Sequence, residues 1–202
     1  MKKIVSGIES SGSTAVWQAV MQLTGEDVMK IHGFESHPNT VTFVTIRDFR
    51  DVIASFVRRK IFGEAKDIDR HVRGIVQYLQ PRFAQLKQYA DQPNAFFIRY
   101  ENWVGDERSL VFDLAEILEI DATDSLVDRV SSYISLEKNR ERSKKFDRHG
   151  EYDRKTNIHG RHVTSNGEIG LWEPLFEQLS EETREEIMKI LTPELQFFGY
   201  LD

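Results

Sequence analysis

The chain of 202 residues has no cysteine, which excludes disulfide staples, thiolate zinc sites and cysteine nucleophiles. Prolines are few, five in all, and there is no internal repeat or low-complexity linker, so residues 1–202 read as one domain. No apolar run approaches the roughly 20 residues of a membrane helix. The start, Met1-Lys2-Lys3-Ile4-Val5-Ser6-Gly7, is interrupted too early for a signal peptide, and a cytoplasmic location is expected. An excess of positive charge is also missing. The formal net charge of -6 argues against broad nucleic-acid binding, though it leaves room for a local basic pocket. What remains, 40% hydrophobic and 30% charged residues, is the composition of a folded globular protein.

Short apolar segments alternate with helical patterns. Residues 3–8 form a strand candidate ending in a Gly/Ser-rich turn, and residues 13–23 carry Val16, Trp17, Val20 and Leu23 at helical spacing. Residues 28–32, 40–46 and 95–100 are further strand candidates. Helices are expected over 48–60 with Asp48 as N-cap, and over 68–89, where Pro81 should kink or split the run. Three more are expected over 110–118, 125–134 and 181–191, the last capped by Ser180. This alternation predicts an α/β fold with a mainly parallel central sheet flanked by helices. Two polar stretches, 138–161 and 164–170, break the pattern. The first holds nine Lys/Arg against four Asp/Glu, fitting either a solvated loop or a basic wall of a pocket.

Gly7-Ile8-Glu9-Ser10-Ser11-Gly12-Ser13-Thr14 follows a strand and opens a helix. The glycines have Walker A spacing, but Ser13 stands where the lysine belongs. Such a turn aims backbone N–H groups and a helix N-terminus at one anion, and Ser11, Ser13 and Thr14 add hydroxyls. Without the lysine that reaches β- and γ-phosphates, kinase or ATPase chemistry is disfavoured. A ligand with one charged group beyond a 5′-phosphate fits better; a plain strand-to-helix turn is the structural alternative. A second anion site is suggested where Arg47 ends a strand and Ser55 lies two turns into the next helix. Arg47 can hold a phosphate bidentately, or it can pair with Asp51 for little gain.

Together these segments resemble the sulfotransferases that use 3′-phosphoadenosine 5′-phosphosulfate. That family combines a 5′-phosphosulfate loop, Pro-(Lys/Arg)-Ser-Gly-Thr-Thr, with a 3′-phosphate motif in which Arg precedes Ser by eight residues. Ser11-Gly12-Ser13-Thr14 match the loop, with Glu9 and Ser10 replacing the proline and the basic residue. Arg47, Arg50-Asp51 and Ser55 match the second motif. Asn166-Gly167-Glu168-Ile169-Gly170-Leu171-Trp172 resembles the family's Lys-Gly-x-x-Gly-Asp-Trp stretch, with Ser165 and Asn166 in place of a basic pair. Tyr100-Glu101-Asn102 resembles a segment whose tyrosine lies near the adenine.

The resemblance implies a P-loop-like fold and a nucleotide site formed by Ser10, Ser11, Gly12, Ser13, Thr14, Arg47, Ser55, Tyr100, Asn166 and Gly167. It implies sulfuryl transfer to a hydroxyl of a carbohydrate, lipid or small molecule, without a metal. Lys30-Ile31-His32 matches a Lys-x-His whose histidine is the family's general base. Residues 30 and 32 of a strand share one side, and an imidazole titrates near neutrality. His32 is therefore assigned as base and Lys30 as the cation at the leaving phosphate; a histidine satisfied by a backbone carbonyl is the alternative. Ser10 cannot supply the charge of the family's basic residue. Lys30 with a residue of the basic segment, Arg161 first, is expected to compensate; otherwise the chain binds the nucleotide and turns over poorly. A P-loop nucleotide kinase stays open as a third reading. His159 and His162 alone make no metal site.

Overall fold

The computed structural model describes residues 1–35, 39–60, 62–63, 66–146, 151–160, 162–163 and 166–201. Strand β1 (Lys2–Gly7) is followed by helix α1 (Ser13–Thr24), β2 (Met29–Ile31), β3 (Thr40–Ile46) and α2 (Phe49–Arg58). The order continues through α3 (Ile68–Leu86), β4 (Ala95–Arg99), α4 (Glu107–Ile117), α5 (Asp124–Ile134) and α6 (Leu136–Ser143). A two-stranded hairpin, β5 (Tyr152–Asp153) and β6 (Ile158–His159), precedes α7 (Trp172–Phe176) and α8 (Glu181–Phe197).

The main sheet is wholly parallel, in the order β2-β1-β3-β4. Its strands are short and rich in Val, Ile, Phe and Thr, as strands covered on both faces must be. Alternation along β3 shows the two layers. Phe43 enters the core of α1, α4 and α5, whereas Val44 and Ile46 enter that of α2, α3, α7 and α8. In α2, Phe49, Val52, Ile53 and Phe56 recur at helical spacing and are all buried, and Phe49 stacks on Phe83 with ring centroids 3.9 Å apart. Asp48 caps α2 by accepting from the Arg50 N–H at 2.9 Å, as expected from the sequence. Ser180 likewise caps α8.

Two expectations need correction. Pro81 neither splits nor ends α3, which runs through it to Leu86. Pro81 and Gln77 lie on the exposed side of the helix, so the Gln77 carbonyl that the ring leaves unpaired faces water. The same holds for Pro193, and α8 extends six residues beyond the expected end at Leu191. The second correction concerns 138–161, which is not simply a solvated loop. Its described part contains most of α6 and the β5–β6 hairpin, held to α1 by buried amides. Gln18 donates to the Thr156 carbonyl at 2.6 Å and accepts from Asn139 at 3.0 Å. Among the described residues no helix is long and apolar enough to cross a membrane.

Candidate active site

The carboxyl ends of all four parallel strands open on one cavity of about 340 Å3. The sheet order reverses between β1 and β3, where open α/β sheets bind their ligands. β1 delivers the loop through Gly12, β2 delivers Lys30 and His32, β3 delivers Arg47, and β4 leads to Tyr100.

The loop is shaped by close backbone approach. A Cβ on Gly7 would fall 1.9 Å from Thr45 Oγ1. Gly12 takes φ +84°, and a Cβ there would press on Trp103 at 2.7 Å and Tyr100 at 2.9 Å. Ser11 differs from the sequence expectation. It is fully buried, donating to the Ile8 carbonyl at 2.7 Å and lying 2.7 Å from the Thr45 hydroxyl, so it braces the loop instead of lining the cavity. Gly12, Ser13 and Thr14 do line it. No side chain caps α1 at Gly12, so the first N–H groups of the helix remain for an anion.

Lys30 donates to Thr14 Oγ1 at 2.6 Å. Burial pushes its ammonium down to about 8, against the attraction of Glu9 and with help from the Arg59 charge. His32, one residue past β2, places Nδ1 2.6 Å from the Gly7 carbonyl. A carbonyl only accepts, so in the neutral imidazole Nδ1 carries the proton and Nε2 the lone pair. The contact to the carbonyl therefore does not occupy Nε2.

Arg47 is 4% exposed. Its Nη1 donates to the Ser10 carbonyl at 3.3 Å and its Nη2 to the Glu168 carbonyl at 2.8 Å and to Asp51 at 3.4 Å. The guanidinium lies 4.4 Å from the centroid of the Tyr100 ring. Its Nε is buried without a partner among the described residues. The pair with Asp51 is therefore a buried one, not a surface contact. Asp51, fully buried, also accepts from the Gly170 N–H at 2.9 Å and the Trp172 N–H at 3.1 Å. Arg50 pairs with Asp48 at 2.6 Å and lies 4.1 Å over the Trp172 ring. The Arg50-Asp51 pair thus fastens residues 168–172 to the start of α2. Ser55 donates to Ser10 Oγ at 3.1 Å.

Burial raises the Tyr100 phenol above its ordinary pKa. Gly167 packs against the same ring, where an added Cβ would sit 3.4 Å from the Tyr100 hydroxyl and 2.8 Å from Val104. The Asn166 amide oxygen accepts from Arg140 of α6 at 2.8 Å. The structure therefore brings every described residue of the expected site to this one region, with Ser11 and Gly167 beneath its surface.

The sulfotransferase domain family matches residues 35–199. The chain belongs to that family. The match takes in Arg47 and Ser55 and begins after the loop, Lys30 and His32. A search of curated protein sequences gave no match. Among solved structures the sulfotransferase is similar to retinol dehydratase in complex with androsterone and the inactive cofactor PAP, with TM-score 0.69, 14% identity, and coverage of 96% of this chain and 80% of the other. It is similar also to mouse sulfotransferase SULT7A1 complexed with PAP, with TM-score 0.67, 13% identity, and coverage of 96% and 83%. At such identities the likeness speaks for the fold.

This sulfotransferase carries site residues that the sequence did not single out. Arg58 and Arg59, at the end of α2, both line the cavity. Arg58 faces Glu168 at 3.4 Å, and Arg59 Nη1 donates to Ser10 Oγ at 3.0 Å. Their place five residues or fewer beyond Ser55, on the same helix, was the available signal. Arg161 and Ser165 lie outside the described residues. The basic segment contributes Asn139, Asn157 and His159 to the cavity wall, joined by His162 just beyond it, while Arg142 stacks on Tyr133 at 4.1 Å and Lys138 pairs with Glu141. Among the described residues no group of three or more His, Asp or Glu is placed to hold a metal ion.

Proposed function

We propose that the donor is 3′-phosphoadenosine 5′-phosphosulfate, held by the loop at its 5′ end and by Arg47 and Ser55 at its 3′ end, and that the acceptor is a hydroxyl. One observation carries this reading. Lys30, Arg47 and Arg59 converge on the loop, and among the described residues they are met chiefly by hydroxyls and carbonyls. Among the described residues only Arg47 has a carboxylate within ion-pair distance, Asp51, with Glu9 the nearest acidic influence on the other two. Three cations sharing so few counter-charges in one partly buried pocket call for an anionic ligand. The buried Nε–H groups of Arg47 and Arg59, which lack partners among the described residues, fit phosphate oxygens. Solved relatives of the same fold hold PAP, the corresponding bisphosphate product, two of them together with androsterone or retinol.

When bound, the donor supplies a sulfuryl group whose bond to the bridging oxygen breaks, leaving that electron pair on the 5′-phosphate. His32 Nε2 takes the acceptor hydroxyl proton, while the Gly7 carbonyl holds Nδ1–H and orients the ring. Lys30, beside Thr14, and the α1 N-terminus balance charge at the leaving phosphate. Tyr100 floors the cavity under Arg47. Phe56 and Tyr78 add apolar wall, suited to the ring or chain of a lipid, sugar or small alcohol. The proposal keeps one domain, a cytoplasmic location and no metal.

The test uses donor labelled in its sulfate with a panel of sugar, lipid and phenolic alcohols. Transfer by the wild-type chain and its loss in His32→Ala, with bisphosphate affinity kept, is expected. Loss of affinity and turnover together would refute the base assignment.

A further inference from the structure

We propose that Arg59, from the far end of α2, supplies the positive charge of the 5′-phosphate subsite that the loop itself lacks at Ser10. The inference rests on the nucleotide reading above and concerns one residue within it. Helix α2 grips the loop at both ends. Before its start, Arg47 Nη1 donates to the Ser10 carbonyl at 3.3 Å; after its end, Arg59 Nη1 donates to the Ser10 hydroxyl at 3.0 Å. Ten helical residues separate these arginines, about 15 Å of rise, yet their side chains converge on different atoms of Ser10, the carbonyl for Arg47 and the hydroxyl for Arg59. Ser55 and Arg59 are four apart and share a helix face, and both reach the same Ser10 oxygen.

The charge balance distinguishes Arg59 from its neighbour. Arg58 has Glu168 at 3.4 Å. Arg59 makes no ion pair among the described residues: its hydrogen-bond partner is a neutral hydroxyl, and its Nε–H is buried with none. Burial dominates the electrostatics of the group, with Glu9 opposing and Arg58 adding to it. A guanidinium stays charged even so. It is held over a loop whose N–H groups, Gly12 turn and α1 N-terminus already favour an anion. A phosphate oxygen placed there would receive a charge-assisted hydrogen bond in place of the weak one to Ser10. In this chain the cation has been moved from the loop to the helix that packs over it.

Two nucleotides separate this role from a merely structural one. Adenosine 3′,5′-bisphosphate carries the 5′-phosphate, and adenosine 3′-monophosphate lacks it. Calorimetric titration of Arg59→Met should show about tenfold or greater weakening for the bisphosphate and less than about twofold for the monophosphate. Adding Ser10→Lys to Arg59→Met returns a cation to the loop and should recover most of the bisphosphate affinity. Equal weakening for both nucleotides, no weakening, or no recovery in the double variant overturns the proposal. Melting temperatures of the three proteins keep the comparison among folded chains, and Arg59→Lys, which preserves charge, should stay near wild type. If wild type binds neither nucleotide, the nucleotide reading falls and this inference with it; failure of the Arg59→Met contrast alone leaves that reading standing.

Discussion

Removing Lys30 should make the ligand-free protein more stable. Its ammonium is pushed from 10.5 to about 8, chiefly by burial, and each pKa unit corresponds to about 1.4 kcal/mol. Protonated Lys30 therefore costs the fold roughly 3 kcal/mol relative to an exposed lysine. The hydrogen bond to Thr14 offsets about 1 kcal/mol once it is lost, so Lys30→Met should gain about 2 kcal/mol at pH 7. For a chain of this size that is about 4–8 °C in Tm. The pH dependence has a definite sign. The folded pKa lies below the unfolded one, so between about 8 and 10.5 the unfolded chain binds more protons and wild-type stability at this site rises with pH. The advantage of Lys30→Met should then be full below pH 8 and fade toward pH 10. Thermal unfolding of both proteins across pH 7 to 10 measures this. A variant that is destabilised at pH 7, or an advantage independent of pH, would refute the argument that Lys30 is a strained cation waiting for an anion.

Asp51→Asn should be costly, because it leaves the buried Arg47 without its counter-charge and loosens the Gly170 and Trp172 anchors. A loss of about 3–5 kcal/mol is expected in urea unfolding, together with weaker bisphosphate binding. Gly12→Ala should lose about 2 kcal/mol, from a left-handed φ of +84° and a methyl driven toward Trp103. Trp fluorescence should report that displacement, and an unchanged spectrum with unchanged stability would contradict the close approach.

Much of this site was legible because it is local in sequence. A glycine-bounded turn between β1 and α1, and a helix with Arg47 before it and Ser55 inside it, follow from spacing alone. The Lys30 and His32 pair came from the resemblance to a Lys-x-His motif, with the strand period supporting a shared side. What escaped depends on long-range packing. Ser11 looks like another hydroxyl donor until Thr45, 34 residues away, takes it inward. Asp51 reads as a surface partner of Arg47 until the 168–172 segment folds over it. Arg59 carries no motif, and only the return of α2 across the loop brings it to Ser10. Residues 138–161 looked merely basic because the contacts that fold them, Asn139 and Thr156 on Gln18, are neutral amides and carbonyls. The helix runs on through Pro81 because a proline costs less where the freed carbonyl meets water.

The central claim is that this cradle takes a 3′-phosphorylated adenine nucleotide. Isothermal titration of adenosine 3′,5′-bisphosphate without metal, beside ATP with magnesium, tests it most directly. The account predicts saturable binding of the bisphosphate, weakened by Arg47→Ala, and a stabilisation of about 2.7 kcal/mol at 100 times its Kd. Binding of ATP with magnesium and none of the bisphosphate would contradict it.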